Sequence, residues 1–240
     1  MRNLVSTFIL ALAFALIHQG CIDCVQGEGE QVSESRAVVD FEVLRLDCSA
    51  DVEIRENLIS EKNSVEVFAQ ENLLPYIKTT SEGKKLTIDV EGCISHTEPI
   101  RVVVYTNGLD KIIHNGSGSL STQNALRGDE LDVVHDGSGE MTLQFKGKEL
   151  SVSQNGSGDL VLSGSVQSFE LDADGSGDSD ASLLKAEVVD VSNDGSGNVS
   201  VNVEHELSIN LSGSGDVRYK GDPQQLKQEN DGSGSIVRLN

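Results

Sequence analysis

The tripeptide Gly-Ser-Gly returns seven times in this chain, beginning at Gly116, Gly137, Gly156, Gly175, Gly195, Gly213 and Gly232. Those starts lie 21, 19, 19, 20, 18 and 19 residues apart. A near-constant period of that size predicts a repeat architecture in which each unit packs on its neighbours. Apolar residues alternate around every copy. Two and four positions after the second glycine stand Met141 and Leu143, Leu160 and Leu162, Val199 and Val201, and Val217 and Tyr219. Four and six positions before the first stand Val133 and Leu131, Val152 and Leu150, Leu171 and Phe169, Val191 and Val189, and Ile209 and Leu207. Spacing by two puts each set on one face of a strand, so the unit reads strand, tight corner, strand.

The corner glycines are expected to supply positive φ, which costs a residue without Cβ nothing. The Asn, Asp or Ser before each copy is of a type that tolerates such turns. A coil of about 19 residues fits short strands stacked in parallel about 4.8 Å apart. The expected fold is therefore all-β, a parallel β-helix, with an antiparallel meander or β-sandwich as the alternative. Aromatic residues make up 4% with no Trp, so the lumen must be thin and aliphatic.

Met1-Arg2, the apolar run from Leu4 to Ile17 and the small Gly20 describe a secretory signal over residues 1–20 rather than a membrane span. Export to the outer membrane, cell surface or periplasm follows. Gly20-Cys21 resembles the end of a lipoprotein signal, making Cys21 a candidate for lipidation and the one route to a membrane; ordinary cleavage nearby is the alternative. Residues 21–36 are polar and glycine-rich and read as a flexible tether. Residues 37–240 then form a single solenoid domain. Within it, 37–54 lies on the repeat pattern as a degenerate first coil, with Cys48 and Ala50 in the glycine slots. Residues 55–108 break the period as a β-rich cap insertion, and 109–240 hold the seven repeats. In the insertion, Asn72 is expected to cap one helical turn, and Ser81 to Lys84 to form a hairpin turn. In an oxidising compartment Cys48 and Cys93 are candidates for a disulfide, with Cys24–Cys93 also open. The last coil carries no visible cap; either Pro223 and its polar surroundings protect it, or its edge meets a partner and is a candidate for self-association.

The run Glu71-Asn72-Leu73-Leu74-Pro75-Tyr76-Ile77-Lys78-Thr79, then Lys85-Leu86-Thr87-Ile88 and the serial Asn/Asp-Gly-Ser-Gly corners, resembles the head GIN domain of putative auto-transporter adhesins. The resemblance covers roughly Val38 to Tyr219. It implies a right-handed β-helix-like fold in a cell-envelope setting, and it brings no catalytic residues. Nothing in the chain resembles a C-terminal membrane barrel.

Acidic residues number 39 against 18 basic, a net charge of −21, which argues against nucleic acid or an anionic membrane as a partner. Many of the acids flank the corners and point outward by parity: Asp136, Glu140, Asp159, Asp174, Asp178, Asp194 and Asp216. Stacked coils bring such carboxylates within about 5 Å of one another, where like charges repel. Turn geometry accounts for them; a row of weak calcium sites is the competing reading, and otherwise no cofactor is expected. The seven corner serines are equivalent copies, which suits structure rather than a nucleophile with its own base. His114 and His135 share an inward slot that later holds Gln154, Ala173, Asn193, Leu211 and Asn230, a polar ladder that needs internal partners. These features suit a non-enzymatic, adhesin-like envelope module binding a glycan or protein at the cell surface. A polysaccharide lyase or hydrolase and a ligand-free structural lipoprotein are the alternatives; scattered basic residues and few aromatics disfavour the enzyme.

Overall fold

The computed structural model describes residues 24–57 and 63–239. The signal segment 1–20 and Cys21 lie outside them. The chain is a β-solenoid of about seven turns with almost no helix. Each turn passes once through each of two parallel stacks, and in three turns a single long strand, Leu160–Ala173, Ser179–Asn193 or Val199–Leu211, runs through both. In the first stack Leu131, Leu150, Phe169, Val189, Leu207 and Leu226 are successive partners. In the second, Val52, Leu120, Met141, Leu160, Ser179, Val199, Val217 and Ile236 follow one another. Alternate side chains face the lumen, and those inner residues are almost wholly buried from Leu44 to Val217. Like stacks on like because the strands within these two stacks run the same way in nearly the same register.

Corner glycines do not adopt positive φ; that expectation is corrected, since the positive-φ glycines are Gly29, Gly83, Gly92, Gly108, Gly164 and Gly221. Their reason is close approach. The strand ladder continues round the corner, with Gly137 N–H donating to His114 O at 3.0 Å and Ser157 N–H to Gly137 O at 3.2 Å. A Cβ on Gly156 would sit 2.0 Å from Gly137 O, and one on Gly158 2.1 Å from Gly139 O. Only glycine lets the corner keep ladder distance.

One end is closed by residues out of the regular order. The first coil, Val43–Leu46 and Asp51–Glu56, lies between Lys111–His114 and Leu120–Thr122 on one side and Lys85–Val90 and Arg101–Thr106 on the other. The loop 91–100 joins the latter pair instead of a tight corner, so Cys48 and Ala50 find room where later coils need glycine. Ser64–Gln70 runs antiparallel to Arg101–Thr106, and Ile77–Glu82 forms a hairpin with Lys85–Val90 across Gly83. Between them, Glu71–Tyr76 forms a 3-10 helix preceded by Gln70, with no side-chain cap. Asn72 therefore does not cap it. Its amide instead donates to Gln26 O at 2.7 Å and accepts from Glu28 N–H at 2.9 Å.

That contact belongs to a second correction. The described part of the expected tether is ordered: Val25–Gln26 pairs with Ile94–Ser95, and Gln31–Ala37 runs antiparallel to Ser64–Gln70. Arg36 donates to Leu74 O at 3.0 Å and Ile77 O at 2.6 Å, tying this strand to the end of the 3-10 helix. Cys93 bonds to Cys24, not to Cys48. Cys48 is a buried free thiol in the first corner, and burial raises its pKa.

Gly156→Ala is expected to cost about 1–3 kcal/mol through overpacking against Gly137 O, whereas the exposed Ser157→Ala stays within about 0.5 kcal/mol of wild type. Urea unfolding of the two variants checks this, and equal midpoints would contradict it.

Candidate functional site: the corner column

Stacked corners form an open groove of about 720 Å³ that runs from Asp47–Ser49 through Asn115–Ser117, Asp136–Ser138 and Asn155–Ser157 to Asp174–Ser176. Ser117, Ser138, Ser157 and Ser176 are exposed along it. Their hydroxyls enter none of the side-chain hydrogen bonds that order the flanking rows. The groove therefore offers a line of free hydroxyls, one per coil, about 4.8 Å apart.

Two rows of short polar side chains border the line, and both are knitted together. In the row before the first glycine, Asn115 Nδ2 donates to Asp47 Oδ1 at 2.7 Å, Asn155 Nδ2 to Asp136 Oδ1 at 2.7 Å, and Ser212 Oγ to Asp194. In the row after the second glycine the side chains from Asp159 onward accept the next coil's backbone. Asp159 takes the Asp178 N–H at 2.9 Å, Asp178 the Asn198 N–H at 2.7 Å, Asn198 the Asp216 N–H at 3.2 Å, and Asp216 the Ser235 N–H at 2.9 Å. Asp51 holds the Ser119 N–H at 3.0 Å in the same way. Of the seven carboxylates singled out for calcium, Asp136, Asp159, Asp178, Asp194 and Asp216 are thus engaged with the neighbouring coil. Glu140 and Asp174 stand in the same rows, both exposed. Among the described residues no group of three or more His, Cys, Asp or Glu is gathered so as to hold a metal ion. Crowding is felt beside the row at Asp172, whose pKa is raised by burial and then by Asp174, Asp190 and Asp194.

Beneath the corner, the inward slot works as a clamp. Asn193 Nδ2 donates to Gly197 O at 3.1 Å while its Oδ1 accepts the Gly195 N–H at 3.2 Å. Asn230 repeats this with Gly234 O at 3.0 Å and Gly232 N–H at 3.1 Å, and Gln154 Nε2 reaches Gly158 O at 2.8 Å. Each side chain grips its own Gly-Ser-Gly from the lumen. His114 and His135 fill the slot in adjacent coils, stacked at 5.0 Å with Nδ1 to Nδ1 at 3.1 Å. One proton fits between two such nitrogens. Burial and then His135 lower the His114 pKa to about 4, and burial lowers His135 as well.

Asp47 and Asp51 carry no Gly-Ser-Gly, yet they begin the two rows. Laying Asp47-Cys48-Ser49-Ala50-Asp51 on Asp136-Gly137-Ser138-Gly139-Glu140 reveals them. The donors of the second row are backbone amides, which leave no mark in the sequence.

A two-stack β-solenoid with an ordered polar corner column defines an elongated, repeat-built surface rather than a pocketed one. The chain belongs to the family described as putative auto-transporter adhesin, head GIN domain, which matches residues 40–223. Among solved structures, a putative adhesin from Bacteroides fragilis is similar with a TM-score of 0.83 at 21% identity, over 90% of this chain and 100% of that one. A protein from Parabacteroides distasonis titled putative lipid binding protein has a TM-score of 0.73 at 23% identity, over 90% and 99%. A putative adhesin from Parabacteroides merdae has a TM-score of 0.70 at 21% identity, over 91% and 100%. At such identities the likeness is one of fold. No curated protein matches the sequence.

Two outcomes are expected here. Both histidines have depressed folded-state pKa values, so the unfolded chain binds protons first, and stability falls as pH drops from about 6.5 through about 4. Urea midpoints against pH should show that decline, and His114→Leu/His135→Leu should flatten it; an unchanged slope would contradict the buried pair. Asp178→Ala should lose about 1 kcal/mol while Asp178→Asn, which keeps the acceptor, stays near wild type. A cation site would instead lose its calcium response in both.

Proposed function

We propose that this chain is an exported, non-enzymatic, adhesin-like module that binds a linear, hydroxyl-rich polymer, such as a glycan, along the corner column. The observation that carries the reading is the line of free serine hydroxyls repeated once per coil in an open groove. A linear sugar polymer presents hydroxyls at a comparable repeat, and many weak polar contacts in register add without a deep pocket. Negative rows on both sides favour a neutral or cationic polymer over an acidic one. The Cys24–Cys93 disulfide suits an oxidising compartment outside the cytoplasm, in line with the basic and apolar start of the chain. No helix among the described residues is long and apolar enough to cross a membrane. Lipidation of Cys21 is the anchor this reading favours, and mass analysis of the protein from cells tests it.

The function is tested on a glycan array with the exported chain. Neutral or basic linear glycans are expected to bind, and Ser138→Tyr/Ser157→Tyr to weaken binding by roughly tenfold or more with an unchanged melting temperature. Binding that ignores this variant would place the site elsewhere, and depolymerisation of any polysaccharide would replace the reading with an enzyme. Calcium is expected to shift the melting temperature by only a few degrees; a chelator-reversible shift above roughly ten degrees would make the acidic rows a cation site.

A further inference from the structure

At the end of the stack away from Cys24–Cys93, Gln225–Asn230 pairs, among the described strands, only with Val199–Leu211. We propose that two copies of this chain join end to end by antiparallel pairing of this strand with itself, on a two-fold axis through Gln228.

Backbone pattern sets which groups are offered. Asp231 N–H donates to Leu211 O at 2.9 Å, and Leu211 is the partner of Asn230. In a parallel ladder this alternation turns the amides and carbonyls of Lys227 and Glu229 inward, and those of Leu226, Gln228 and Asn230 toward the open side. An antiparallel partner must therefore set even-numbered residues against even-numbered ones.

Charge then selects the register. Centring on Gln228 puts Lys227 opposite Glu229 of the partner subunit, and Glu229 opposite Lys227 of the partner subunit. Centring on Lys227 or on Glu229 would place like charges face to face, and centring on Leu226 would leave Glu229 against Pro223. The strand is thus self-complementary in one register, as a two-fold interface requires. Within one chain the same two residues form only an exposed contact, at 3.4 Å.

Burial points the same way. Leu226 occupies a lumen slot yet is 47% exposed, where its stacked counterparts Leu207 and Val189 are 2% and 1% exposed. A second copy would extend the lumen over Leu226 and set Gln228 against its own copy, amide to amide. The two-fold runs perpendicular to both stacks, so it carries the partner's corner column to the opposite edge of the joined rod. That arrangement separates the acidic rows of two chains, each of net charge −21, and leaves both columns free for ligand.

Sedimentation equilibrium of the exported chain is expected to give a concentration-dependent dimer. Gln228→Pro removes one outward N–H at the axis without touching a bond to Val199–Leu211, and should leave a folded monomer. Glu229→Lys sets Lys against Lys and should weaken the dimer by roughly tenfold or more, and Lys227→Glu/Glu229→Lys should restore it. A wild-type chain that stays monomeric up to its solubility limit would overturn the proposal. So would a dimer indifferent to the charge reversal and its restoration, whatever Gln228→Pro does to folding.

Discussion

Everything in this molecule follows from how closely one corner lies on the next. A carbonyl of the coil below occupies the space where a Cβ would be, at 2.0 Å for both Gly156 and Gly175. Glycine is required because the hydrogen-bond ladder does not stop at the end of a strand but passes round the turn. Two parallel stacks are thereby locked at the same spacing along one edge, and the aliphatic side chains of the lumen meet their own kind in successive coils. Where the neighbouring coil opens into the loop 91–100, the constraint lifts and Cys48 and Ala50 appear.

The same closeness explains the acidic surface. Side chains flanking the corner stand one coil apart, and a row of unrelieved carboxylates at that distance would repel. Interleaving Asn and Ser with Asp gives Asp47, Asp136 and Asp194 a donor from the next coil. In the second row the donor is the backbone itself, so Asp159, Asp178 and Asp216 satisfy amides that the turn would otherwise leave to water. From the lumen, Asn193 and Asn230 hold the other side of the turn. What remains uncommitted is the serine line, and that is where a ligand would find partners.

Much of this architecture was legible. The period, the alternation of Leu150 and Val152 with polar neighbours, the stacking and the inward polar slot all follow from spacing. Four readings needed the third dimension. Positive φ is the ordinary reason for a corner glycine, and only the distance to the coil below replaces it with a steric one. Asn72 stands at the start of a turn like a cap, yet its amide serves the chain from Gln26 to Glu28, which is distant in sequence. Residues 24–36 look like a linker in composition, but Gln31–Ala37 borrows its stability from Ser64–Gln70, whose alternation shows only one face. The disulfide was ambiguous because spacing cannot say that loop 91–100 swings Cys93 away from the first corner toward Cys24.

The central claim is that the exposed corners are part of the hydrogen-bonded stack rather than loops between strands. Amide hydrogen exchange followed by NMR tests it residue by residue. Ser157, Ser176, Ser196 and Ser214, whose amides donate to Gly137, Gly156, Gly175 and Gly195 at 2.9 to 3.2 Å, should exchange as slowly as the flanking strands. Exchange at the rate of an open loop, with protection confined to the strands, would contradict the account.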